Sequence, residues 1–313
     1  MLPVVIDTDP GVDDAVALWW ALTSSALDVV ALTSVHGNVD VDLAAANALR
    51  IVHAAGRPDI PVAVGEAGPV GPAPVTGFPL WIHGADGLGE IGLPPAPLAP
   101  VDEPARALLR RLVDARPGEL TVVTLGPLSN IARVLAEDPS WASRVRGLVA
   151  LAGSVGAGGN ATAAAEANAA HDPIALATVL GAAWSAPPLL IGLDATHEAT
   201  LSTAEVALCG EHRTPAATFC DGPLRFYRNA VGGPTGEVAC HDLLAVLALE
   251  DPDVVQVEEL PVAVDTAGGA AWGATVVDRR RSAPATDGFS RWCVARHADV
   301  NRYRAAARQL FGG

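Results

Sequence analysis

Four carboxylates fall within eight residues, in Asp7-Thr8-Asp9-Pro10-Gly11-Val12-Asp13-Asp14. Held together without a counter-charge, they repel one another. Asp at a helix start is a common N-cap, but capping has no use for four acids. A helix opening here offsets part of the repulsion, because its dipole favours anions. A hard divalent cation offsets far more, so the cluster reads as a Ca2+ or Mg2+ site. Two other places carry complementary chemistry. His241-Asp242 begins an apolar segment, and Asn160, Glu166 and Asn168 interrupt an Ala-rich stretch. Two amides and a carboxylate suit sugar hydroxyls, since each donates or accepts in fixed geometry. Taken alone, Asn160 reads equally well as a turn residue after Gly158-Gly159, and a histidine at a helix start, as His241 is, is more often structural.

Composition narrows the chemistry. The 313 residues carry a net charge of −15, a sign that repels phosphate backbones and anionic membranes. Nucleic acid and membrane surfaces are therefore not expected as partners. All 20 basic residues are Arg, which leaves no lysine for a Schiff base, a Walker A contact or a general base. The four cysteines, Cys209, Cys220, Cys240 and Cys293, include no CxxC pair. That argues against a structural zinc and for a reducing compartment. Asp7 and Asp9 break the first apolar run, unlike a signal peptide. No apolar stretch reaches the roughly 18 residues of a membrane span. A cytoplasmic location follows as the expectation.

The elements that must position these residues alternate along the chain. Apolar, β-rich runs at Val4–Asp7, Val29–Val35, Pro61–Val64, Leu120–Leu125, Gly147–Leu151 and Leu189–Leu193 read as strands. Val262–Val264 and Thr275–Val277 give weaker strand signals. Ala- and Leu-rich segments at Asp13–Thr23, Val41–Ala55, Glu103–Ala115, Leu128–Ala136, Pro173–Leu180 and Cys240–Leu249 read as helices. This alternation predicts an α/β fold, an open and mostly parallel sheet with helices on both faces and a Rossmann-like core. Ligands of such sheets bind outside the carboxyl ends of strands, where the acidic cluster falls. The stretch from Glu66 to Pro100, dense in Gly and Pro, reads as a long functional loop containing Trp81, His83 and Asp86. Within it Gly68 to Gly87, like the Gly-rich Val231 to Gly236, is expected to border the pocket and to be mobile without ligand. No linker interrupts the pattern, so one domain over 1–313 is expected.

The segment Asp7 to Ala15 resembles the N-terminal signature of the nucleoside hydrolases that act on inosine and uridine. Further similarities follow in family order: His36-Gly37-Asn38, His83-Gly84, Asp86 to Gly89, Leu125 to Asn130, Gly159-Asn160, Glu166, Asn168, Asp172-Pro173, His241-Asp242 and Val276 to Asp278. The resemblance implies the nucleoside hydrolase fold and hydrolysis of the N-glycosidic bond of ribonucleosides to ribose and free base. It implies one Ca2+, held by Asp9, Asp14, Asp242 and the backbone carbonyl of Leu125. Asp9 would also be the general base for water and His241 an acid near the leaving base. Asp13, Asn38, His83, Asn160, Glu166 and Asn168 would bind the substrate, and Asp7 would support them from behind. A homodimer or homotetramer is the family's usual assembly. His241, where purine-specific members carry Trp, points to inosine and uridine as substrates; purine specificity is the alternative, with Trp81 available to stack on a base.

Three positions depart from the family pattern. Ala167 stands where an aromatic residue is usual, His171 where an apolar one is, and Trp272 where an Arg is common. They bear on base preference and on the 5′ side of the sugar. Two rival readings differ in class. A phosphotransferase using Asp7 as nucleophile lacks the lysine such sites use for phosphate. A nucleoside- or ribose-binding protein without turnover keeps the same residues, and only release of ribose separates it from an enzyme.

Overall fold

A computed structural model describes residues 1–280 and 288–312. Its strands are β1 (Leu2–Thr8), β2 (Leu27–Ser34), β3 (Val62–Ala63), β4 (Thr121–Thr124), β5 (Gly147–Leu151), β6 (Leu189–Ile191), β7 (Thr200–Leu201), β8 (Val238–Ala239), β9 (Val255–Val264), β10 (Thr275–Val277) and β11 (Ser290–Ala298). The helices are α1 (Val12–Thr23), α2 (Val41–Ala54), α3 (Leu80–His83), α4 (Ala105–Ala115), α5 (Ser129–Glu137), α6 (Ala167–His171), α7 (Pro173–Leu180), α8 (Leu193–Thr196), α9 (Thr203–Glu211), α10 (Pro215–Val231), α11 (His241–Glu250) and α12 (Val300–Gly312).

Nine strands form one sheet in the order β10-β9-β11-β6-β5-β4-β1-β2-β3. All pairings from β11 to β3 are parallel, and β9 pairs antiparallel with both β10 and β11. The expected mostly parallel sheet is present. Period-two alternation sends successive side chains to opposite faces. Val4 and Ile6 join the core under α1, α10, α11 and α12, while Val5 joins the core under α4, α5 and α7. Both faces are covered, which is why these strands read as unbroken apolar runs.

The chain runs outward from β1 to β2 and β3 on one side, and from β4 to β5 and β6 on the other. The strand order therefore reverses between β1 and β4, and a crevice opens at their carboxyl ends. Asp9 follows β1, Asn38 lies just beyond β2, and Leu125 immediately follows β4.

Several elements differ from the sequence expectation. β9 and β11 are long strands where only Val262–Val264 was legible. Gln256, Glu258 and Glu259 on β9 and Arg291 on β11 face partly outward near the sheet edge and blur the apolar signal. Helices α9, α10 and α12 lie in segments that gave no helical reading. α10 even contains Pro223, which is buried and packs with Phe226 against Gly89. Tertiary packing outweighs a weak local propensity there. The loop from Glu66 to Pro100 is irregular, as expected, except for the single turn of α3.

Candidate active site

Asp9, directly after β1, is buried. Its Oδ2 accepts the Asn38 backbone N–H at 2.7 Å, while Oδ1 is buried with no hydrogen-bond partner among the described residues. A Cβ on Gly37 or Gly126 would collide with this carboxylate, so both glycines are needed to let it sit between the loops after β2 and β4. Asp14 lies in the first turn of α1. It accepts from Thr8 Oγ1 at 2.5 Å, Gly11 N–H at 2.9 Å and Asn38 Nδ2 at 3.0 Å. Asn38 thus orients two acids at once, through its backbone and its amide.

Asp13, Asp14 and Asp242 each offer a carboxylate oxygen within 4.8 Å of the others, and all three are buried. Asp13 also has a buried Oδ1 without a partner. Burial and the neighbouring acids hold Asp9 and Asp242 well above the usual carboxylate range, and Asp13 up to about 7. So costly an arrangement of like charges is relieved by a cation, and an all-oxygen donor set suits a hard divalent one. The compact triplet contains Asp13 in place of Asp9; Asp9 stands beside it with its free oxygen over Gly126.

Asn168 Nδ2 donates to the carbonyls of Leu125 at 2.6 Å and Leu151 at 2.8 Å, tying together the exits of β4 and β5. The Leu125 oxygen therefore has one lone pair engaged and one left for another partner. Glu166 caps α6: Oε1 accepts the Asn168 N–H, and Oε2 accepts those of Gly153 and Ala169. Burial raises its proton affinity against these donors. Asn160 is exposed and accepts the Ala167 N–H at 2.9 Å.

His83 comes from α3 in the long loop. Its Nδ1 accepts the Val12 N–H, an orphan donor at the start of α1, at 3.2 Å. Burial pushes the ring down to about 3, so it is neutral and its proton resides on Nε2. His241 opens α11 with Nδ1 2.7 Å from Thr196 Oγ1. Burial, with His197 nearby, lowers it to about 4.

These residues line a single cavity of about 360 Å³, in the range of small-molecule sites. Asp13, Asn38, His83, Leu125, Asn160, Glu166, Asn168, His241 and Asp242 all border it. Asp9 and Asp14 lie beneath that lining. Of the two Gly-rich segments, the Glu66–Pro100 loop supplies Val75 to His83, but Val231 to Gly236 does not reach the cavity. Tyr227, one turn earlier in α10, takes that place, with its hydroxyl donating to Ala239 O. Sequence reasoning missed Tyr227 because α10 itself was missed; the apolar pair Leu224 and Tyr227 at helical spacing was the available signal. Phe78 was missed too, being one apolar residue in a loop without period.

The sequence profile of the inosine-uridine preferring nucleoside hydrolase family matches residues 4–305. The chain is 35% identical to a protein named probable uridine nucleosidase 2 of Oryza sativa subsp. japonica, over 98% of this chain and 92% of that one. It is 36% identical to the non-specific ribonucleoside hydrolase RihC of Escherichia coli, over 88% of each. A solved plant nucleoside hydrolase superposes with a TM-score of 0.92 at 31% identity, covering 99% of both chains.

Proposed function

The chain belongs to the inosine-uridine preferring nucleoside hydrolase family, a hydrolase of ribonucleosides, and on that premise we propose how its pocket is used and on what. The observation that carries the reading is the acidic floor: three buried carboxylates within 4.8 Å, with unpartnered oxygens on Asp9 and Asp13. Asp9, Asp14, Asp242 and the Leu125 carbonyl would hold Ca2+, with Asp13 close enough to share it. When bound, the cation neutralises the clustered charge and makes water in its reach more acidic.

The chain's own residues divide the remaining work. Asp9 takes the proton of the attacking water at Oδ1, while Asn38 and Gly37, both against Oδ2, fix the direction of the carboxylate. Asp13 Oδ1 accepts from a ribose hydroxyl. Asn38, Asn160, Glu166, Asn168 and His83 Nε2–H hold the other hydroxyls. Several oxygens aimed at the sugar stabilise the positive charge that grows at C1′ as the N-glycosidic bond breaks. His241 faces the leaving base. Its low proton affinity favours the neutral ring, with Thr196 donating to Nδ1 and Nε2–H donating a hydrogen bond to the departing base. That stabilises the negative charge of the base without requiring an imidazolium.

Relatives named for uridine and for non-specific ribonucleosides support activity on both pyrimidine and purine ribosides, inosine and uridine included. Trp81 and Phe78, at 68% and 43% exposure on the cavity wall, offer rings on which either base can stack. One domain, a homodimer or homotetramer, and a cytoplasmic location complete the reading. No helix among the described residues is long and apolar enough to cross a membrane. A reducing-sugar assay over a panel of ribonucleosides tests the whole. Ribose release from uridine and inosine is expected; tight binding without release would identify a binding protein instead.

A further inference from the structure

Phe78 and Trp81 stand on one rim of the cavity, each with more than two fifths of its surface exposed, and Leu80 between them is exposed to the same degree. A segment that buries so little apolar surface owes its position to a few specific contacts. Its far end is held where His83 meets Val12. Its near end is held by two consecutive residues at the junction of α6 and α7. Asp172 Oδ2 accepts the Val70 N–H at 2.8 Å, and His171 Nε2 lies 3.3 Å from the Gly77 carbonyl. Gly71 seats directly on Ile174 of α7, where a Cβ would collide. Asp172 is itself fixed, accepting from Ser129 Oγ at 2.6 Å and the Ala175 N–H at 2.9 Å. The Val70 contact is therefore the firm one.

His171 is the conditional one. Its two ring nitrogens both face carbonyl oxygens, Gly77 across the gap and Ala167 within its own helix at 2.9 Å. A neutral imidazole has one N–H, and burial favours the neutral ring here. It serves the loop or the helix, one at a time. Such a contact restrains the rim and still releases it, as a wall that must admit a nucleoside and free a base requires. α6, which carries the latch, also carries Asn168 and is capped by Glu166.

We propose that His171 is a positioning residue that latches the aromatic rim, Val70 to Trp81, to the helix carrying the sugar-side residues, and so sets how strongly the base is held. This rests on the reading that the cavity binds a nucleoside with its base toward the rim. The test compares wild type, His171→Leu and His171→Gln, the last retaining an N–H donor. Hydrogen exchange of amides 70–81, followed without ligand, is expected to quicken in His171→Leu and to recover toward wild type in His171→Gln. KM for inosine is expected to rise about tenfold in His171→Leu, the weight of roughly one hydrogen bond. kcat, and inhibition by free ribose, which has no base to stack, should stay within about twofold. Unchanged exchange in His171→Leu overturns the latch. Ribose inhibition weakened as much as KM would overturn it too, by showing general damage to the pocket. Failure of wild type to hydrolyse inosine sinks the functional reading alone, because the exchange comparison still decides the latch.

Discussion

Asp14 accepts three hydrogen bonds in one side chain, from Thr8, the start of α1 and the Asn38 amide, and also offers an oxygen within 4.8 Å of those of Asp13 and Asp242. Asp14→Ala removes a ligand and a negative charge from the cation site together. Loss of stoichiometric Ca2+ and at least a 100-fold fall in kcat/KM are expected, read by metal analysis and by ribose release. Full activity in a metal-free preparation would refute the cation's part. The sugar contacts make a second prediction. A site that hydrogen-bonds a hydroxyl strongly rejects the analogue lacking it, because its buried partners are left unpaired. Asp13 Oδ1 has no other partner among the described residues, so kcat/KM for uridine should exceed that for 2′-deoxyuridine by a factor on the order of 10³ or more. Similar values would remove Asp13 from the sugar. His241→Ala gives the third: kcat should fall much further for uridine than for p-nitrophenyl riboside, whose leaving group needs little help. Equal slowing would mark His241 as a binding or structural residue.

At the scale of elements, the site depends on glycines that carry no chemistry. Gly126 lies at the exit of β4, and a Cβ there would strike both Asp9 Oδ1 and Val35. Gly126→Ala should displace Asp9 and lower kcat by about 100-fold, a misplacement effect. The unfolding midpoint should fall less than for a core cavity, and wild-type kcat would show that Asp9 tolerates the push. How much of this was legible beforehand differs by element. β1, β4 and β5 could be read because helices bury both of their faces, and the acids of Asp7 to Asp14 because so many like charges demand an explanation. Asn168 was legible as polar among alanines, but not its grip on two carbonyls, which joins residues far apart in sequence. Glu166 drew notice as a sugar ligand, and its three backbone donors became visible only when α6 did. Most of β9, and β11 and α10 entirely, stayed hidden because their residues are chosen for edges and long-range packing, which leave no clean period.

Over the whole molecule, burial has kept several ionisable groups neutral, and stability must then depend on pH. His36 is the clearest case away from the cation floor. It is 4% exposed, with Nε2 3.0 Å from Ser129 Oγ and its ring edge-on to His171. Burial, with His171 adding, lowers it from 6.5 to about 4. The unfolded chain therefore binds the proton more readily than the folded one. The contribution of His36 is complete above pH 6.5 and is lost as pH falls toward 4, by at most about 3 kcal/mol for a shift of this size. Buried acids such as Asp7, raised to about 7 by burial, act in the opposite sense and favour the folded state as pH falls. The wild-type melting curve alone mixes the two. Thermal unfolding of wild type and His36→Gln, each from pH 7.5 to 4.5 with Ca2+ present, separates them. The gap between the two proteins should narrow or reverse as pH drops, because only wild type must take up a proton at position 36. A gap that stays constant across that range would mean that His36 is held in place by packing alone and that its burial carries no titration cost.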